Sequence, residues 1–253
     1  MGAKMEYSEI VDLDIVEKLR PLLKSGYYFD METGLIKAPT ARAWDMPWIY
    51  TNPCKQRNCI YYFTVLFGRL RVLPKKCTEC WKVVVRPRTF HELVQLMHLQ
   101  EEQKLRSKCG TEVRSYVHGL YGGYYYNDSL DEGRCIYQIV KHDVSKIIGP
   151  DVQVILKRGC TELEYAFGPS NKWKRTERDE RLETLANGWV DSYTDEREQA
   201  GIIKLHIYRK WMEFAWEHGD DTVMAYNGGK PLTIPYVTYH EEAHDAALAA
   251  EGD

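Results

Sequence analysis

Residues 52–82 read NPCKQRNCIYYFTVLFGRLRVLPKKCTECWK. Cys54 and Cys59 enclose four residues, Cys77 and Cys80 enclose two, and seventeen residues separate the two pairs. A short-spaced pair turns two thiols towards one point, and two such pairs supply the four soft ligands that Zn2+ takes in tetrahedral geometry. The runs 60–67 and 70–73, on either side of Gly68, predict a β-hairpin that brings the pairs together, and residues 81–87 predict a further strand. Nearby Lys and Arg would keep the thiols ionised. A closed four-thiolate site has no open coordination position, so the expected Zn2+ is structural, held by Cys54, Cys59, Cys77 and Cys80.

This segment resembles a zinc ribbon over about thirty residues. It departs from the ribbon pattern in the four-residue spacing of the first pair, and in Ile60 and Trp81 where such knuckles carry Gly. Cys109, Cys135 and Cys160 are expected as core thiols, with a second metal site as the alternative.

The chain has 253 residues, 34 Lys and Arg, 37 Asp and Glu, and a formal net charge of -3. Its 44% hydrophobic and 28% charged residues are those of an ordinary globular protein with a sizeable core. The charge is unevenly spread. Between residues 55 and 88 nine basic residues stand against Glu79 alone, and interleaved Tyr61, Tyr62, Phe67 and Trp81 suit stacking on bases. Lys55, Arg57, Arg69, Arg71, Lys75 and Lys76 are the candidate contacts to nucleic acid or another polyanion. The first residues lack the apolar stretch of a secretory signal, and the longest apolar run, 60–67, is too short to span a bilayer. A cytoplasmic protein without membrane association is expected, where thiols stay reduced.

Residues 7–24 show helical spacing with Ser8 as cap and Pro21 as an interruption. Thr89 with Glu92 and Ser129 with Glu132 have capping-box spacing and predict helices over 90–106 and 130–147. Residues 118–128, HGLYGGYYYND, read as a Gly- and Tyr-rich loop, and 152–159 as a buried strand because they are apolar throughout. A helix is expected over 174–190, and a long, largely buried one near 199–217. The expected fold is α+β: a zinc-stapled β-hairpin module plus a mixed α/β domain. Its boundaries are 1–106 for the N-terminal helix and basic zinc module, 107–239 for the mixed domain, and 240–253 for an acidic tail.

Two patterns suggest hydrolysis. His240, Glu241 and His244 match HExxH, in which two imidazoles on one helix face hold zinc and the Glu acts as base. Only nine residues follow His244, and the segment is acidic rather than apolar, which reads as a tail. Glu162 and Glu164, after an apolar strand and near Lys157, resemble the carboxylates of metal-dependent nucleases without matching a nuclease signature. No catalytic residue is assigned. The expected function is a non-enzymatic regulatory or accessory protein contacting nucleic acid or a nucleoprotein machine through the basic hairpin. The alternatives are a protein-binding inhibitor or adaptor using Tyr-rich surfaces, and a metal-dependent hydrolase.

Overall fold

The computed structural model describes residues 7–38, 47–52, 56–194 and 199–232. Cys54, Lys55, the side chain of Arg57, and the tail with His240, Glu241 and His244 lie outside what is described. Helix α1 (Tyr7–Lys24) runs past Pro21 and buries Ile15, Leu19 and Leu22, at the spacing its sequence shows. Strands β1 (Tyr28–Asp30) and β2 (Leu35–Lys37) form a hairpin, followed by β3 (Trp48–Thr51) and the two-residue β4 (Gln56–Arg57).

The run after Cys59 is helical, not a hairpin. Asn58 caps α2 (Cys59–Tyr61) by accepting the Tyr61 N–H, and the chain continues as a π-helical turn, Tyr62–Phe67. Tyr61, Tyr62, Val65 and Leu66 are buried together. That is helical spacing, which a run apolar on every side hides. Burial decides the outcome: β propensity spans about 1 kcal/mol, whereas each buried apolar side chain contributes about 1.5–3 kcal/mol. Gly68 closes the turn with its N–H on the Phe63 carbonyl, and a Cβ there would lie 2.7 Å from that oxygen. One further turn, α3 (Lys75–Thr78), carries Cys77, and the Cys80 N–H reaches back to the Cys77 carbonyl.

Strand β5 (Trp81–Arg86) leads to α4 (Phe90–Gln103). Thr89 accepts the Glu92 N–H, while the Glu92 carboxylate takes the N–H of Arg88 rather than of Thr89. Strands β6 (Ser107–Thr111) and β7 (Tyr121–Asn127) follow, then α5 (Leu130–Ile147), capped by Ser129, and β8 (Gln153–Arg158). Then follow α6 (Thr161–Phe167), α7 (Glu177–Asn187) within a Thr176–Asp179 capping box, β9 (Tyr193–Thr194) paired with β4, α8 (Gly201–Glu217) and a 3-10 turn, Asp221–Tyr226. The Tyr-rich segment expected as a loop is thus the middle strand of an antiparallel sheet ordered β3-β6-β7-β5-β8. Strand β8, expected to be buried, is an edge strand of half-buried residues. Strands from both sides of residue 106 share this sheet, so the expected division at that point cuts across a single unit.

Two apolar cores result. In one, α4, α5 and α8 cover one face of the sheet with Val83, Val85, Leu96, Tyr121, Tyr125 and Trp211 among the buried residues. Helix α8, expected to be largely buried, buries Ile207, Trp211 and Ala215 and packs the partly buried Ile203, Tyr208, Met212, Phe214 and Trp216 on the same core, while Ile202 is 62% exposed. The other core joins α1, Ile36, α2 with its π-helical continuation, Leu70–Leu73, Cys77, Leu163, Trp173 and α7. The sheet's close fit to α4 explains its glycines: a Cβ on Gly123 would stand 2.4 Å from Leu96 Cδ2.

Candidate functional site

Side chains alternate across a strand, so the residues between those packed on α4, α5 and α8 share the second face of the sheet. The register places Tyr50, Lys108, Tyr124, Val84 and Ile155 side by side in one row across five strands. Tyr126, Lys82 and Lys157 form the neighbouring row. Trp48 lies opposite Gly110, which lies opposite Gly122, beyond the other side of the first row. This face is therefore rich in aromatic rings and cations.

The two kinds of side chain are interleaved. Lys108 Nζ stands 4.2 Å from the centre of the Trp48 ring and 5.6 Å from those of Tyr50 and Tyr124. Lys82 Nζ is 5.6 Å from the Tyr126 ring, and the Arg86 guanidinium 5.9 Å from Tyr124. Such contacts hold each ammonium by the negative face of a ring. Burial of Tyr126 pushes its phenol well above the ordinary value. Burial opposes the Lys82 charge, but Cys160, Cys80 and Tyr126 beside it outweigh this and hold its pKa well above normal. Lys157 moves the other way, depressed first by burial and further by Lys82, against the pull of Glu164 at 3.5 Å. The outer edge is braced by a side chain: Gln199 accepts the Tyr50 N–H at 2.8 Å and donates to the Trp48 carbonyl at 3.0 Å, as a further strand would.

One rim of the face carries an ion network. The buried Glu112 carboxylate takes the Arg114 guanidinium at 2.6 and 2.8 Å, the Arg114 N–H at 3.1 Å and the Tyr124 hydroxyl at 2.9 Å. Arg114 also donates to Glu162 at 2.8 Å, which accepts Tyr116 at 2.9 Å. Burial alone would raise both carboxyls, but the Arg114 contacts, joined at Glu162 by its own backbone N–H, leave both below the ordinary range. Glu162, the carboxylate expected to serve a hydrolase, is thus committed to Arg114, and Glu164 pairs with Lys157.

Where the start of β5 meets the end of β8, the Gly159 N–H bonds the Cys80 carbonyl, and the four thiols of Cys59, Cys77, Cys80 and Cys160 influence one another electrostatically. Cys77 is buried, Cys80 and Cys160 are half-buried, and Cys59 keeps exposed surface. Cys160 Sγ accepts from Lys82 Nζ at 2.7 Å. Among the described residues no three His, Cys, Asp or Glu side chains stand as a ready-made metal centre. Of the remaining thiols Cys109 is in the sheet core as expected, whereas Cys135 is exposed on α5. Neither sits with the four.

The expected polyanion contacts lie elsewhere. Arg69 and Arg71 are exposed between the π-helical turn and α3, Lys75 is exposed at the start of α3, and Lys76 is half-buried with Glu79 at 3.7 Å. Their segment is clamped from behind by α7 and its approach: Arg178 donates to the Leu70 carbonyl, Arg175 to that of Leu73, and Glu183 accepts the Lys75 N–H. The sheet-face residues Trp48, Tyr50, Lys82, Lys108, Tyr124 and Tyr126 were not singled out by motif or spacing. Their signal was two-residue alternation in short strands, visible only once those strands were recognised. Among the described residues no helix is long and apolar enough to cross a membrane. No family model, curated protein or solved structure matches this chain.

Proposed function

We propose that the chain is a non-enzymatic, nucleic-acid-binding accessory protein whose contact surface is the aromatic and basic face of the sheet. The observation that carries this reading is the interleaving of the half-buried Trp48 and Tyr126 with Lys82, Arg86, Lys108 and Lys157 on that one face, with the buried rings of Tyr50 and Tyr124 packed among them. Aromatic faces accept any base, and cations spaced between them neutralise the phosphates of a single strand. The exposed Arg69, Arg71 and Lys75 supply further sites for phosphate. A structural Zn2+ held by cysteines would brace the end of β5, from which Lys82 projects; soft thiolates grouped beside cations suit that ion.

The test is fluorescence anisotropy of a labelled oligo-dT strand across a salt series. Affinity should fall steadily with salt, and Trp48→Ala should weaken binding at least about fivefold, the loss of one stacking platform. Affinity unaffected by both salt and Trp48→Ala removes the reading. A protein-binding role keeps one observation in its favour: a surface depression of about 680 Å3 lined in part by Arg114, Tyr116, Val117, His118 and Phe214. Of its lining, Val113 and Tyr116 are exposed apolar side chains. Capture of a stoichiometric partner that survives nuclease treatment would favour this second reading.

A further inference from the structure

We propose that Cys160 is a metal ligand, and that the thiolate set for Zn2+ is Cys59, Cys77, Cys80 and Cys160. This rests on the structural-zinc reading above and revises its ligands. Cys160 lies eighty residues beyond Cys80, without a short-spaced partner cysteine to mark it.

Two backbone contacts and one side-chain bond bring it there. Strands β5 and β8 pair through Trp81 opposite Arg158, and the next link outwards is the Gly159 N–H on the Cys80 carbonyl at 2.7 Å. Arg158 Nε donates to the Thr78 carbonyl at 2.6 Å, fastening the turn between Cys77 and Cys80 to the end of β8. A Cβ on Gly159 would lie 3.4 Å from the Cys77 carbonyl oxygen and 2.5 Å from the Trp173 ring. With φ at +64°, Gly159 turns the chain closely across that surface, and Cys160 follows at the start of α6. Cys59 stands at the start of α2, and its thiol and that of Cys77 are both influenced electrostatically by Cys80 and Cys160.

A short-spaced pair, Cys77 and Cys80, joined by single cysteines from two other segments is an ordinary way to assemble four thiolates. As they stand, no three of these side chains form a metal centre, so binding would have to draw the four thiols together. Lys82, at 2.7 Å from Cys160 Sγ, would then act as an outer donor, an N–H···S bond that stabilises a bound thiolate. The metal would tie α2, the turn before β5 and the end of β8 into one unit, and fix Lys82 and Lys157 on the sheet face.

The experiment is metal content of the full chain by elemental mass spectrometry, with Cys160→Ser, Cys54→Ser, Cys109→Ser and Cys135→Ser alongside the wild type. About one zinc per chain is expected, lost with Cys160→Ser and kept with Cys109→Ser and Cys135→Ser. Wild-type protein without zinc would overturn the structural-zinc reading itself. Zinc kept in Cys160→Ser would overturn only the role of Cys160, with its loss in Cys54→Ser restoring the set Cys54, Cys59, Cys77 and Cys80. A misfolded Cys160→Ser is met by Cys160→His loaded with Co2+: the thiolate-to-cobalt charge-transfer band should fall by about a quarter, one ligand of four. A spectrum identical to wild type would remove Cys160 from the set.

Discussion

Glu112→Ala should destabilise the fold far more than an ordinary surface change. The side chain is 1% exposed, and its carboxylate accepts four hydrogen bonds, three of them from Arg114 and one from the Tyr124 hydroxyl. Removing one partner of a buried ion pair costs about 3–5 kcal/mol because the other charge is left unpaired. Arg114 is 33% exposed and retains Glu162 at 2.8 Å, so water and a second carboxylate absorb part of that loss. Tyr124 is buried, and leaving its hydroxyl unpaired adds about 1 kcal/mol or more. The expected total is about 2–3 kcal/mol, a fall in Tm of about 5–10 °C for a chain of this size. Urea unfolding followed by circular dichroism measures it, with Arg114→Ala and the double variant completing a cycle. The two single losses should not add, because each removes the same contacts. A change below about 0.5 kcal/mol in Glu112→Ala, or strictly additive losses, would show that this network does not form.

The same pair sets a pH dependence. Glu112 and Glu162 both have folded pKa values below their ordinary ones. Their contribution is therefore complete above the unfolded carboxylate pKa and is lost as pH falls through the folded values. Stability measured from neutral to acid pH should decline more steeply in wild type than in Glu112→Gln, and parallel curves would contradict this. At Gly110 a Cβ would lie 1.8 Å from the Pro47 carbonyl oxygen, so Gly110→Ala must displace β3 and should cost about 1–3 kcal/mol. At Gly149 nothing stands within 4 Å, and Gly149→Ala should be neutral or slightly stabilising. Equal effects of the two substitutions in thermal melts would count against the packing of β3 on β6.

Helices α4, α5 and α7 were legible because their signals are local. Thr89, Ser129 and Thr176 each bond an N–H three residues ahead, and apolar periodicity follows without reference to the rest of the chain. The tight turn from Cys77 to Cys80 was legible for the same reason. Residues 60–67 were not, since a run apolar on all sides carries no period, and only burial against α1 and α7 selects the helix. Nor was β7, whose two glycines and tyrosines look like a loop until Leu96 of α4 is seen to need the space at Gly123.

Composition and local pattern determined the α+β class, the basic segment and the cysteine pairs, because these depend on residues a few positions apart. Tertiary structure alone decided that β3 and β5 join β6, β7 and β8 in one sheet. It placed Trp48, Lys82, Lys108 and Tyr126 on a shared face and carried Cys160 across to Cys77 and Cys80. Those relations are made by backbone hydrogen bonds between segments up to eighty residues apart, and their energy comes from pairing and burial that no stretch of the chain contains within itself.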